Sequence, residues 1–210
     1  MKSKFWIVTG VALATFIAAT APASAQPTII DQWSSIRIPP APALKEVTVD
    51  PKTTALLLLD FLKQTCTWNP RCTATLPATK KFLAEARAHH MLVIYSYVSG
   101  GTMGDTLPEV VAKPGEPAIQ SGPDKFLGTD LEKILKDHGI KTVIVAGTFS
   151  QGAVLHTGDE ATLRGFKVVV PIDGVSAPNP FEELYVAYNF TAAPRVGGLS
   201  TLTRYSMIRF

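Results

Sequence analysis

The feature that most constrains the fold is the stretch 141–166, KTVIVAGTFSQGAVLHTGDEATLRGF. Its residues 142–146 form a β-branched apolar run, the kind of run that a strand buried on both faces needs. Gly147 ends the run, small and polar residues follow, and apolar residues then recur at helical spacing up to Gly165. The pattern predicts a strand, a turn and a helix. In a parallel sheet such a turn lies at the carboxyl end of the strand, where free helix amides can hold an anion or a developing oxyanion.

The rest of the chain alternates in the same way. Apolar runs predict strands at 53–60, 91–98, 118–120, 166–172 and 199–203. Helical spacing predicts helices at 76–90, 130–138 and 179–192. Strands that alternate with helices indicate an α/β protein, a three-layer α/β/α sandwich on a mostly parallel central sheet. This domain is expected to span 53–210, after a proline-rich extended arm at 26–52.

The first 25 residues are typical of a secretory signal peptide. Lys2 and Lys4 precede an apolar run, and Ala23-Ser24-Ala25 forms a small-residue cleavage site. An uncleaved membrane anchor is the weaker alternative, because the run is short for a bilayer span and no later run reaches about 20 apolar residues. We therefore expect export to the periplasm or the medium, with no membrane association after cleavage.

Charge and cysteine content limit the partners further. Loss of the two leader lysines lowers the formal charge from +3 to +1, so nothing favours nucleic-acid binding. The two cysteines, Cys66 and Cys72, are close in sequence, and no histidine lies near them to complete a metal site. In an exported protein this spacing predicts a disulfide.

Three segments resemble a known family. LLLLD at 56–60, KFLGTDLEKILKDHGIKTVIVAG at 125–147 and GTFSQGAVLHT at 147–157 are similar to the isochorismatase-like hydrolases. This superfamily is also called the cysteine hydrolases, and it includes nicotinamidases, N-carbamoylsarcosine amidases and isochorismatases. The resemblance covers about residues 53–203 and implies a hydrolase that acts on a small molecule.

The resemblance also implies which positions are catalytic. Most members carry an Asp that ends the first strand, a Lys six residues before the phenylalanine of the FxGT block, and a Cys at the helix start. Asp60 matches the first, but Gln120 and Ala153 stand at the other two. Without a sulfur nucleophile or a cation, the route through an acyl-enzyme is closed. Neither Cys66, which is expected in a disulfide, nor Ser150, which has no histidine base in reach, replaces the lost thiol.

Isochorismatases offer a precedent, because they too lack the cysteine. They cleave a vinyl ether with the aspartate as acid while bound water attacks, and Ala153 is similar to their small residue. Their turn carries a histidine where this chain has Gln151, and Gln120 departs from their lysine. The metal-binding histidines of nicotinamidases have no counterpart in 97–105, so we expect neither a metal nor another cofactor.

The remaining site residues are predicted to contact substrate. Thr148-Phe149 falls where the family keeps a non-proline cis peptide, which is expected to aim amides at a bound oxygen. Substrate-contacting residues are predicted in the turn and on two loops; these are Thr148, Phe149, Ser150, Gln151, Gly152, Trp68 and Tyr97. Local turn chemistry or packing is the alternative role for each, and Gln120 has a surface role as its alternative. His156, one turn into the helix, is expected to face solvent.

Two functions remain open from sequence. The first is an exported hydrolase without a cysteine nucleophile, in which Asp60 moves the proton and Gln120 and the turn amides orient substrate or water. The second is a catalytically inactive relative that binds a small ligand or serves a structural role, with homo-oligomer formation as a further option.

Overall fold

The computed structural model describes residues 26–210 and divides the chain after Pro39. The predicted signal peptide lies outside the described residues. In the first unit a short helix, α1 (Ile29–Gln32), and a 3-10 turn (Trp33–Ser35) occupy part of the predicted extended arm. Helix α1 forms there because the Asp31 carboxylate accepts hydrogen bonds from the backbone N–H and the hydroxyl of Thr28.

The second unit begins at Pro40 and is built on a seven-stranded parallel sheet. Its strands are β2 (Thr54–Leu59), β3 (Leu92–Tyr97), β4 (Ala118–Gln120), β5 (Thr142–Thr148), β6 (Lys167–Pro171), β7 (Val175–Ser176) and β8 (Ser200–Thr203). Their order is β4-β3-β2-β5-β6-β8, and β7 pairs with the end of β5. Two further short strands, β1 (Val47–Thr48) and β9 (Ile208–Arg209), pair with each other in parallel.

Helices cover both faces of the sheet. They are α2 (Lys63–Cys66), α3 (Pro70–Ala88), α4 (Leu131–Asp137), α5 (Leu155–Leu163), α6 (Pro180–Ala192) and α7 (Val196–Leu199). A single π-turn (Ser150–Val154) leads directly into α5, and 3-10 turns occupy Met103–Asp105, Pro108–Val110, Ile172–Gly174 and Tyr205–Met207. Among residues 26–210, no helix has both the length and the apolar character to cross a bilayer.

Strand β2 shows how the three layers form. Leu57 and Leu59 point into one apolar core with residues of α4, α5 and α6, whereas Leu56 and Leu58 point into a second core with residues of α3. All six residues of β2 are buried, as a central parallel strand requires. The predicted α/β/α fold on a parallel sheet is confirmed.

The largest difference from the predicted elements is the start of α3. The helix begins at Pro70, six residues before the predicted start, because Asn69 accepts a hydrogen bond from the Arg71 backbone N–H and Pro70 fits the first helical position. Asn69-Pro70 is therefore a helix start instead of a simple turn. The two-residue strands β1, β7 and β9 were not predicted, because two residues carry no periodicity.

Candidate active site

The centre of the candidate site is Asp60, the residue that follows β2. Leu59 pairs in register with Gly147 of β5 and with Ser96 of β3, so Asp60 leaves the sheet between these two strands. The backbone of Asp60 is left-handed, with a φ of 56°. The Thr65 hydroxyl holds this turn, because it donates to the Asp60 carbonyl oxygen at 2.5 Å and accepts from the Leu62 backbone N–H at 3.2 Å.

Gly147 allows β5 to approach this turn closely. Its φ is 155°, and a Cβ at this position would lie 2.3 Å from the Leu59 carbonyl oxygen. A side chain here would push the end of β5 away from β2. The glycine thus lets the turn after β5 lie beside Asp60.

A buried ion pair holds the Asp60 carboxylate. Its Oδ1 accepts a hydrogen bond from Ser96 Oγ at 2.7 Å, and its Oδ2 accepts one from Lys125 Nζ at 2.8 Å. Asp60 is 4% exposed and Lys125 is fully buried. Because a buried charge requires a partner, this carboxylate and this ammonium stabilise each other as ions.

The assignment of Gln120 to the lysine's place beside Asp60 is therefore wrong. The side chain of Gln120 is exposed, and its amide nitrogen donates to the backbone oxygens of Gly101 at 3.2 Å and Val98 at 3.4 Å. Lys125, five residues after Gln120 and directly before the FxGT phenylalanine, supplies the cation. The chain folds back between 121 and 125, so a different residue reaches the carboxylate.

Helix α5 positions the lysine. The Lys125 backbone N–H donates to the Thr157 hydroxyl at 3.2 Å, and this hydroxyl donates to the Pro123 carbonyl oxygen at 3.3 Å. Lys125 Nζ also donates to the Gly122 carbonyl oxygen at 2.8 Å. Thr157 is fully buried, so the lysine loop and the helix that follows β5 are held together in the protein interior.

The turn after β5 has the predicted form. The Thr148–Phe149 peptide bond is cis, which confirms that expectation. Ser150 and Ala153 are buried, whereas Gln151 and Gly152 are half-buried. Ala153 thus stands at the helix start without a reactive atom. The Ser150 hydroxyl lies 3.5 Å from Gln151 Oε1, and within residues 26–210 it forms no hydrogen bond with a histidine.

Aromatic side chains lie on one flank of this turn. The ring centroids of Trp68 and Phe149 are 5.9 Å apart, and Trp68 is 58% exposed. Tyr97, at the end of β3, is half-buried and pairs in register with Gln120 of β4. His156 is exposed, as expected. Trp68 can therefore contact a ligand that lies against the turn, whereas His156 faces solvent.

The disulfide between Cys66 and Cys72 is present, which confirms its prediction. Both residues are fully buried, and the bridge joins α2 to the first turn of α3. Since the sequence contains only these two cysteines, no thiol is free to act as a nucleophile. Within residues 26–210, no group of three or more His, Cys, Asp or Glu side chains is placed to hold a metal ion.

Comparison with known proteins gives related hydrolases. The family model for the isochorismatase domain matches residues 54–201. Streptothricin hydrolase from Streptomyces noursei is 27% identical over 143 residues, which cover 60% of this chain and 50% of the relative. The chain thus spans about half the length of this curated relative.

Solved structures share the fold. An isochorismatase family protein from Burkholderia thailandensis has a TM-score of 0.67 at 19% identity, with 78% of this chain and 97% of that chain covered. N-carbamoylsarcosine amidase from Thermoplasma acidophilum has a TM-score of 0.63 at 23% identity, with 73% and 96% covered. A nicotinamidase from Staphylococcus aureus has a TM-score of 0.64 at 21% identity, with 73% and 99% covered. The family match spans well over half of the sequence and includes both Asp60 and Lys125, so this chain belongs to the isochorismatase-like hydrolase family.

Proposed function

We propose that this protein hydrolyses a small molecule by direct attack of water, with Asp60 as the group that moves the proton. The proposal rests on the buried Asp60–Lys125 ion pair at the end of β2, together with the helix start after the neighbouring strand β5, where Ala153 offers no nucleophile. A side chain that cannot form a covalent bond leaves water as the only nucleophile available at that position.

The state of Asp60 favours one order of proton transfers. Its two oxygens accept hydrogen bonds from Lys125 and Ser96, an arrangement that suits a group that accepts a proton from water. An ionised carboxylate first accepts a proton from the attacking water and then returns it to the leaving group. This order suits the hydrolysis of an amide, ureide or ester carbonyl better than vinyl ether cleavage, which begins with protonation of the substrate.

The amides of the turn after β5 complete the proposed mechanism. In this turn the Gly152 and Val154 N–H groups already donate to the Phe149 carbonyl oxygen, at 3.0 and 3.3 Å. The proposal therefore assigns the Gln151 and Ala153 N–H groups to the negative charge that develops on a carbonyl oxygen of the substrate. The proposed substrate contacts are the half-buried Gln151 within this turn and Trp68, whose ring lies against Phe149. Two of the solved structures with this fold are an amidase and a nicotinamidase, and this supports a carbon–nitrogen bond as the bond that is hydrolysed.

A second candidate function is ligand binding without turnover. It is supported by the saturation of the lysine, whose Nζ lies within 2.8 Å of acceptors on both Asp60 and Gly122 and 3.5 Å from the Ser121 carbonyl oxygen. A fully buried and fully bonded ion pair is also what a purely structural pair looks like.

We further propose that the protein is exported, because it has the leader pattern and the disulfide.

The test is a substrate screen with a matched pair of variants. The full chain, expressed with its leader, is assayed against amides, ureides, esters and vinyl ethers as wild type, Asp60→Asn and Asp130→Asn, the last at an exposed position. We expect Asp60→Asn to lower kcat/KM by about 10²–10⁴-fold and Asp130→Asn to leave it unchanged. Turnover that survives Asp60→Asn would remove Asp60 from its role, and ligand binding without turnover in the wild type would establish the second candidate.

A further inference from the structure

Two buried polar groups beside the candidate site have no hydrogen-bond partner. Asn69, 1% exposed, leaves its Nδ2 unpaired, and Ser176, fully buried, leaves its Oγ unpaired. The other unpaired buried side-chain atoms in the described part of the chain are on Thr54, Thr106 and Ser200. Thr54 and Ser200 begin strands, at the end of the sheet opposite to the site. An unpaired buried polar group is unfavourable, so Asn69 and Ser176 call for an explanation.

One carboxylate links the segments in which these two residues lie. Glu183 Oε1 accepts a hydrogen bond from Arg71 Nε at 2.9 Å and another from the Ala177 backbone N–H at 3.0 Å. Arg71 is two residues after Asn69, and Ala177 directly follows Ser176. A single oxygen atom of α6 thus fixes the start of α3 against the end of β7.

The same pair lies next to the turn after β5. Ser176 pairs in register with Thr148, whose hydroxyl donates to the Ser176 carbonyl oxygen at 3.4 Å. On the other side, Trp68 directly precedes Asn69, and its ring contacts that of Phe149. The cis peptide Thr148–Phe149 is therefore flanked by Ser176 through one of its residues and by the segment of Asn69 through the other.

We propose that Asn69 Nδ2 and Ser176 Oγ form a subsite that binds an uncharged oxygen of the ligand, a carbonyl or hydroxyl group distinct from the bond to be hydrolysed. The proposal rests on the proposed function only in taking the turn after β5 as the ligand site. An amide N–H donates and a hydroxyl can donate or accept, which fits such an oxygen. Arg71 is already paired with Glu183, so no free cation of this cluster selects a carboxylate instead.

Buried polar groups of this kind would make the subsite selective. A site built to hydrogen-bond an oxygen leaves its own polar groups unsatisfied when that oxygen is missing, and it discriminates against compounds that lack it. Asn69 Oδ1 caps α3 while Nδ2 remains available, so the two ends of one amide have separate roles.

The test uses acetophenone, which has one flat ring and one carbonyl oxygen and cannot be hydrolysed. Its dissociation constant is measured on the full chain from the NMR shifts of the Phe149 and Ala177 amides. Ser176→Ala and Asn69→Asp are compared with wild type; the aspartate keeps the helix-capping oxygen but removes the donor. Thr73→Ala, an exposed change in α3, is the control.

We expect the dissociation constant to rise about five- to tenfold in Ser176→Ala, and binding to be lost in Asn69→Asp, with no change in the control. We also expect Ser176→Ala to raise Tm without ligand by about 2–4 °C, because an unpaired hydroxyl is removed from the interior. A merely structural serine would lower Tm instead.

Three results would overturn the subsite: no acetophenone binding by wild type, unchanged binding by both variants, or a lower Tm for Ser176→Ala. Because acetophenone is not a substrate, a protein that binds it as expected but hydrolyses nothing keeps the subsite and loses the proposed hydrolase function.

Discussion

Asp60 is held from three directions, by Thr65 at its backbone and by Ser96 and Lys125 at its carboxylate. The apolar run that ends at Asp60 pointed to this acid, whereas Ala153 at the place of the family's cysteine was implied only by the resemblance to the isochorismatase-like hydrolases. The family spacing points to Gln120 and not to Lys125, because it counts residues along the chain and not distances in the fold. A buried carboxylate requires a cation that is close to it in the folded structure. Any lysine whose loop folds back to the carboxylate can supply this charge, whatever its position in the sequence.

Gly147 offers a direct test of how closely the site is packed. Gly147→Ala places a Cβ 2.3 Å from the Leu59 carbonyl oxygen, whereas Gly165, also at positive φ, has open space around it. We expect Gly147→Ala to lower the free energy of unfolding by about 1–3 kcal/mol more than Gly165→Ala does. Urea denaturation of both variants measures the difference, and equal losses would show that β5 does not approach β2 as described.

The segment from α2 to α3 is the element whose boundaries the sequence predicted least well. Its helix starts at Pro70 because a cap and a proline act together, and the proline alone also fits a turn. The disulfide could be predicted because the protein is expected to be exported and its two cysteines allow a single pairing. Trp68 and Asn69 both lie in the short segment that this bridge closes.

Loss of the disulfide tests its role in this segment. Replacing both cysteines with alanine is expected to lower the free energy of unfolding by about 2 kcal/mol, since the closed loop is short. Chemical denaturation measures this, and mass spectrometry before and after reduction shows whether the bridge forms. Two free thiols in the unreduced exported protein would contradict the assignment.

An ion pair between α3 and the loop before β4 fixes that loop. Arg87 of α3 donates to both carboxylate oxygens of Glu116, and the Lys113 backbone N–H donates to one of them. Burial raises the pKa of Glu116, but the hydrogen bonds from Arg87 and Lys113 lower it more, so its pKa lies below the ordinary value of 4.5. Arg87 also donates to the Tyr95 hydroxyl at 2.9 Å, which ties the loop to β3.

This link predicts a pH dependence of stability. A depressed carboxyl pKa stabilises the folded state above pH 4.5, and this contribution is lost as the pH falls through the lower folded-state value. Between pH 6 and pH 3, we expect wild type to lose more unfolding free energy than Glu116→Gln. Denaturation curves at several pH values measure this, with Glu85→Gln, an exposed change on α3, as control. Equal losses in wild type and Glu116→Gln would exclude the link.

For the molecule as a whole, the order of apolar runs was enough to predict the layered parallel sheet. Such runs report burial directly, so the fold class does not depend on where each strand ends. The small β1–β9 sheet escaped prediction because it joins residues about 160 apart in sequence, and long-range pairing leaves no local pattern.

The leader pattern makes the proposed export of the full chain testable. We expect the protein recovered from the periplasm or the medium to begin at Gln26, because Ala23-Ser24-Ala25 precedes it as a cleavage site. Intact-mass measurement of the recovered protein identifies its N-terminus. A mass that includes residues 1–25, or retention in the cytoplasm, would contradict the expectation.

The most direct test of the active-site assignment compares two substitutions with a substrate found in the screen. Lys125→Met and Gln120→Ala are assayed for kcat/KM, and urea curves establish that each is folded under assay conditions, since an unpaired buried charge costs about 3–5 kcal/mol. We expect Lys125→Met to lose at least about 100-fold in kcat/KM and Gln120→Ala to stay within about tenfold of wild type. A folded Lys125→Met with full activity, together with a large loss in Gln120→Ala, would contradict the assignment.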